Sequence, residues 1–215
     1  PRLPKGQLRR GGFGGVDGLV SYLREEKITA MIDATHPFAA RMSANADAAA
    51  AATGVPLVHV WRQPWVAGDR WTEVASIEAA AAAIPAGARV FLTTGRSELS
   101  AFAVRDDVWF LARIVQPVER RADEIWPPQL TFLYDRGPFD EAREAALLEQ
   151  HRIDVIVSKN SGGAAAYAKL AAARRLGIPV IIVQRPARPQ GRCVDNAAEA
   201  VAWLDETLSV QEPDQ

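Results

Sequence analysis

Cysteine is nearly absent from this chain. Cys193 is the only one in 215 residues, so no intrachain disulfide can form and a cysteine-rich zinc framework is excluded. An excess of charge is lacking too. Twenty-five Lys and Arg face 26 Asp and Glu, leaving a formal net charge of −1, without the concentrated basic face that phosphate neutralisation along a nucleic acid requires. No apolar run approaches the ~20 residues of a membrane span, and the start lacks the charged-then-apolar layout of a secretory leader. The expected setting is the cytoplasm, with no nucleic-acid or membrane partner and a monomeric state. Histidine is scarce: His36, His59 and His151 lie far apart without metal-ligand spacing, so no metal site is expected.

What the chain does have is alternation. With 48% hydrophobic and 24% charged residues it has the composition of an ordinary globular protein, long enough for a substantial core. Apolar strand-like runs such as "KITAMIDAT", "VPLVHVWR", "ARVFLTTG", "DVWFLARIV", "LTFLYDRG", "IDVIVSKN" and "IPVIIVQRP" alternate with helical stretches. That order is the signature of an α/β fold with parallel strands. The helices are read at "GVDGLVSYLREE", "PFAARMSANADAAAAATG", "SIEAAAAAI", "SELSAF", "FDEAREAALLEQH", "GGAAAYAKLAAARRLG" and "NAAEAVAWLDETL". The Trp-, Pro- and Gly-rich stretch "WRQPWVAGDRW" reads as a crossing between two Rossmann-like lobes, residues 1–72 and 73–215. The chain opens at Pro1 with a helix that no strand precedes, so the first lobe is expected to lack its opening strands.

Three apolar runs end in similar polar turns: "DATHP" (33–37), "TTGRSE" (93–98) and "SKNSGG" (158–163). In open α/β sheets this carboxyl edge is where ligands bind, because loops diverge there and helix starts present free N–H groups. Gly162 and Gly163 permit close backbone approach, Ser161 can cap a helix, and Lys159 adds a cation. Gly95 permits a tight turn, Ser97 can cap, and Arg96 can project a bidentate fork, although taken alone Arg96 reads more readily as a solvated surface charge. Pro37 suits a first helical turn with Thr35 or His36 at the cap. His36 is the candidate catalytic residue, as a proton donor or as a hydrogen-bond donor that positions ligand. A capping role is its plainer alternative.

"GGFGGVDG" imitates a dinucleotide fingerprint, but Gly12-x-Gly14-x-x lands on Asp17 and no strand precedes it, so it is set aside. His59, alternating with Val and Leu, is read as a half-buried structural residue. Trp61 and Trp65 share a loop with Arg62 and are candidate aromatic faces.

Taken together, "IDATHPFA", "GVPLVHVWRQPW", "VFLTTGRSEL" and "IVSKNSGG…AYAKLAAARRLGIPVIIVQRP" resemble the precorrin-6A reductase family of cobalamin biosynthesis over nearly the whole chain. The resemblance implies a two-lobed Rossmann-like enzyme that uses NADPH to reduce one double bond of a polycarboxylated corrin precursor, precorrin-6A to precorrin-6B. Asp33, Thr35, His36 and Pro37 would serve from the first lobe. Thr93, Thr94, Gly95, Arg96 and Ser97, with Lys159, Asn160, Ser161, Gly162 and Gly163, would serve from the second. Of these, Thr35 and residues 93–97 are the expected cofactor contacts. The expected substrate contacts are Lys159–Gly163 with Arg62, Arg113 and Arg185, since a carboxylated macrocycle asks for cations. Hydride transfer demands positioning more than a nucleophile or metal. Two other readings fit the same residues: an NADH-dependent reductase of the cobalt-containing precursor, and a non-catalytic module binding a small anion.

Overall fold

The computed structural model describes residues 6–117 and 119–211 and divides them into two compact units. The first unit takes the chain up to Arg62 together with Ala187 onward, and the second is Gln63–Pro186. The expected boundary at 72/73 therefore moves to the Trp-rich stretch itself, and the C-terminal segment joins the first unit. The reason is strand pairing. The short strand β9 (Cys193–Val194) pairs with β2, not with its sequence neighbours.

In the first unit, α1 (Val16–Glu25) precedes β1 (Met31–Asp33), α2 (Ala40–Thr53) and β2 (Leu57–Val60). The sheet order is β1-β2-β9, all parallel. The alanine-rich α2 buries Ala46 and Ala49, and their small side chains let it lie against α1, where Leu19 and Leu23 form a small core with Ala49. Gly54, at φ 73°, stops α2 in the left-handed conformation that glycine adopts without strain. The terminal helix α6 (Ala197–Gln211) covers β2 through Ala200 and Trp203 on Val58.

The second unit holds β3 (Trp71–Val74), α3 (Ile77–Ala83), β4 (Arg89–Leu92), a 3-10 helix (Arg96–Phe102), β5 (Trp109–Ile114) and β6 (Leu130–Tyr134). After these come α4 (Glu141–Gln150), β7 (Val155–Lys159), a short 3-10 turn (Ala164–Ala166), α5 (Ala168–Leu176) and β8 (Val180–Val183). The sheet is six-stranded, ordered β3-β8-β7-β4-β5-β6, and parallel throughout. Its central strands are buried on both faces, which is why they read as continuous apolar runs. Phe91, Leu111, Ile156 and Ile182 face α4 and α5, while the adjacent Phe110 meets Phe102 on the opposite face. Ser76 caps α3 by accepting from Ala79 N–H at 3.1 Å, and Asp140 caps α4 by accepting from Ala142 and Arg143.

Two strands escape a reading by pattern. β3 is an edge strand of four residues with mixed exposure, and β9 has two residues. Neither carries a period long enough to register. Among the described residues no helix is long and apolar enough to cross a membrane.

Candidate active site

The second sheet grows outward in two directions. β4 is followed by β5 and β6 on one side, whereas β7 and β8 extend on the other. The chain thus reverses its direction of winding between β4 and β7. At such a switch point the loops leaving the carboxyl ends diverge and open a crevice. "TTGRSE" leaves β4 there and "KNSGG" leaves β7. Thr93 N–H donates to Val157 O at 3.0 Å, and Lys159 Nζ meets Glu98 Oε1 at 2.6 Å across the two loops. Arg185, just beyond β8, donates from Nε to Asn160 O at 2.6 Å. The fold therefore brings together residues 93–97, 159–163 and 185.

Within this group two buried polar atoms have no hydrogen-bond partner among the described residues: Thr94 Oγ1 and Arg96 Nε. Arg96 spends its terminal nitrogen on Glu124, at 2.7 and 2.9 Å to the two oxygens, and on Glu119 O. That hydrogen bond holds the Glu124 carboxyl below its ordinary range. Burying a hydroxyl and a guanidinium N–H without partners costs free energy.

Other members of the group build the loop. Asn160 is buried and clamps the backbone of Trp65, accepting from its N–H at 2.8 Å and donating to its carbonyl at 3.0 Å. Trp65 Nε1 donates to Gly163 O at 2.8 Å. Trp65 is itself part of the core, 8% exposed, and offers no open aromatic face. Gly162 holds φ at 63°, and a Cβ there would collide with the Arg185 guanidinium and the Gln63 carbonyl.

Three capping expectations are corrected. Neither Ser97 nor Ser161 caps: Ser97 lies inside the 3-10 helix that starts from Gly95, and the short turn after Ser161 starts from Gly163, both without a side-chain cap. Pro37 sits in a turn ahead of α2, whose cap position is Ala39, so neither Thr35 nor His36 caps it. His36 Nδ1 instead accepts from Phe38 N–H at 3.3 Å within that turn.

Arg113 is also corrected. It lies on β5 and is 7% exposed, and its two terminal nitrogens reach the Glu144 carboxylate of α4 at 3.0 and 2.7 Å. Its ring neighbours are Phe139 and Phe91. A guanidinium spent on a buried carboxylate is not available to a substrate.

In the first unit, "DATHP" closes β1, and its Asp33 anchors a buried network that periodicity does not reveal. Asp33 accepts from Thr35 N–H at 3.0 Å, from Ser43 Oγ at 2.6 Å, and meets His59 Nδ1 at 2.9 Å. His59 Nε2 meets Asp47 at 2.8 Å. His59 is therefore fully buried between two carboxylates, not half-buried. Burial pushes the Asp33 carboxyl up, but the hydrogen bonds from Ser43, Thr35 and His59 outweigh it and hold its pKa below 3.8. The available signal was register: Asp33 and His59 are partners at the ends of adjacent parallel strands. Asp47 and Trp61 border a cavity of about 180 Å³ beside Pro37, and Arg62 follows Trp61 directly.

A family model, Precorrin-6x reductase CbiJ/CobK, matches residues 1–205. The chain belongs to the precorrin-6x reductase family. It is accordingly an oxidoreductase of cobalamin biosynthesis, and the family implies a nicotinamide cofactor. It is 48% identical over 208 residues to the precorrin-6A reductase of Rhodococcus erythropolis, covering 95% of this chain and 82% of the relative. The Mycobacterium tuberculosis precorrin-6A reductase is 45% identical over 206 residues, covering 95% and 83%. A cobalt-precorrin-6A reductase from Priestia megaterium is 31% identical, covering 90% and 80%. The solved structure of a CobK precorrin-6A reductase superposes with a TM-score of 0.87 at 46% identity, covering 93% of this chain and 82% of that one. Among the described residues no group of three or more His, Cys, Asp or Glu side chains could hold a metal ion.

Proposed function

We propose that this reductase transfers a hydride from NADPH to one double bond of a metal-free, polycarboxylated corrin precursor, precorrin-6A to precorrin-6B. The observation that carries the reading is the pair of unpartnered buried groups, Thr94 Oγ1 and Arg96 Nε, at the switch point of the second sheet. A dinucleotide rich in phosphate and carboxamide acceptors fits them, because both can donate. Thr93, Thr94, Gly95, Arg96 and Ser97 would hold the cofactor there. When bound, the dihydronicotinamide supplies the hydride.

The substrate's carboxylates fall to Lys159 and Arg185. Asn160 and Gly162 act by fixing the loop that presents Lys159 and Ser161, and Gly163 holds the Trp65 indole. His36, whose Nδ1 accepts from Phe38 N–H in the turn after β1, positions ligand by hydrogen bonding and is not the essential proton donor. Greater identity to the precorrin-6A reductases than to the cobalt-precorrin enzymes favours the metal-free substrate. The working form is a cytoplasmic monomer that can pass its product to neighbouring pathway enzymes.

Fluorescence titration with NADPH and steady-state kinetics test this reading. Arg96→Ala should weaken NADPH binding, and Lys159→Ala should raise the substrate KM. Each effect should be about ten- to a hundredfold, since a charge-assisted hydrogen bond is typically worth about 1.5–3 kcal/mol. Unchanged constants in both variants would sink it. Side-by-side turnover of metal-free and cobalt-loaded substrate with NADPH and NADH decides between the two reductase readings.

A further inference from the structure

The loop after β7 has almost nothing with which to anchor itself. From Ser161 to Ala166 it reads "SGGAAA", and no side chain there is bulkier than that of serine. Glycines lose the most backbone freedom on ordering, and small side chains recover little of it by packing. The remaining handles are backbone groups, and those are held from outside. At the entry, Asn160 N–H donates to Val183 O at 3.0 Å, while its side chain clamps the Trp65 backbone. Two carbonyls farther along are gripped as well. Gly163 O accepts from the Trp65 indole and Ala166 O from the Lys169 ammonium, each at 2.8 Å.

The two grips form one bracket. Lys169 Nζ lies 5.0 Å from the centre of the Trp65 ring, within range of cation–π attraction. The Tyr167 ring meets the same indole edge-on, with 6.0 Å between centroids. An ammonium is an expensive group to keep in that place. Lys169 is 7% exposed and forms no ion pair among the described residues. The charged groups that face it, Arg113 from β5 and Glu144 from α4, are already paired with each other. Lysine is seldom buried without a partner, because desolvating its charge disfavours the fold. Both contacts the ammonium makes lead to the loop: one to its far end, the other to the ring that holds its middle.

We infer that Lys169 is a positioning residue for substrate binding: with Trp65 it brackets residues 161–166 and so holds Lys159 and Ser161 where a substrate carboxylate is received. The inference rests on the reading that gives Lys159 to the substrate's carboxylates. Lys169 acts through the loop alone.

Lys169→Met tests it, because it keeps an unbranched apolar stem and removes the ammonium. The substrate KM should rise about tenfold, the scale of one lost charge-assisted hydrogen bond, with kcat within about twofold and Tm unchanged or higher. A lysine with a purely structural role would give that Tm without the change in KM. Hydrogen–deuterium exchange should quicken about tenfold across residues 161–167 while β4, β7 and β8 keep their wild-type protection. The ratio of variant to wild-type KM should also shrink from about pH 7 to about pH 9, because the wild-type ammonium loses its proton with a pKa of about 8. Wild-type exchange across residues 161–167 in the variant overturns the inference whatever the kinetics. Lys159→Ala separates it from the reading beneath it. A raised KM in Lys159→Ala but not in Lys169→Met overturns the positioning role and leaves the substrate reading standing. An unchanged KM in both variants removes that reading, and the positioning role falls with it.

Discussion

At the scale of single residues, several positions that look chemical do structural work, and the energies are large enough to tell them apart. Arg113 and Glu144 form a two-pronged buried pair. Removing one partner strands the other's charge, so Arg113→Met should cost about 3–5 kcal/mol. Urea denaturation should show that loss, and a double variant with Glu144→Leu should recover much of it. A destabilisation below about 1 kcal/mol would return Arg113 to the substrate contacts. Gly162→Ala should cost at least about 1–3 kcal/mol, because the left-handed φ disfavours a Cβ and the space is taken by Arg185 and the Gln63 carbonyl. The Asp33 network has a definite pH sign. A carboxyl whose folded pKa is depressed contributes stability that is fully present above its unfolded pKa of 3.8 and is lost as pH falls through the lower folded value. Acid unfolding followed by circular dichroism should therefore move to higher pH in Ser43→Ala, which removes the 2.6 Å donor. An unchanged acid midpoint would show that Ser43 does not set the Asp33 carboxyl.

At the scale of elements, α5 carries a residue that periodicity alone treats as an ordinary surface lysine. Lys169 is buried, donates to Ala166 O at 2.8 Å and sits 5.0 Å from the centre of the Trp65 ring. Burial, and then the Arg113 charge, depress its pKa to about 8, against the partial pull of Glu144. The folded state thus gives up this proton before the unfolded state does. The penalty for charging Lys169 is full below pH 8 and fades as pH rises from 8 toward 10.5, so stability climbs across that window. Lys169→Met should flatten the climb and raise stability at pH 7 by up to about 3 kcal/mol, less what the lost hydrogen bond contributed. Equal pH slopes for both proteins in thermal melts between pH 7 and 10.5 would refute it. At the same scale, three strand ends were legible as a group because β4, β7 and β1 are apolar runs that stop at polar turns. Their caps were not legible. Ser97 and Ser161 have a capping residue type, but glycines with positive φ start the turns instead.

At the scale of the whole molecule, the two units are interleaved in sequence, since the chain after Ala187 returns to the first. Deleting residues 187–215 should strip β9 and α6 from β2 and expose Val58, which Ala200 and Trp203 cover. Circular dichroism and tryptophan fluorescence should then show the first unit unfolded and the six-stranded sheet of the second retained. A cooperative loss of both would count against independent cores. The sequence by itself determined the parallel α/β class, because strands buried on both faces must be apolar and helices must alternate with them. It also determined the three polar strand ends, because each turn follows its strand directly. Which strand lies beside which was decided only by tertiary structure. Long-range pairing put β9 on β2, placed β7 next to β4 to create the switch point, and turned Arg113 and Lys169 inward. Pairing between distant segments leaves no local period, so those facts emerge only when the sheets close.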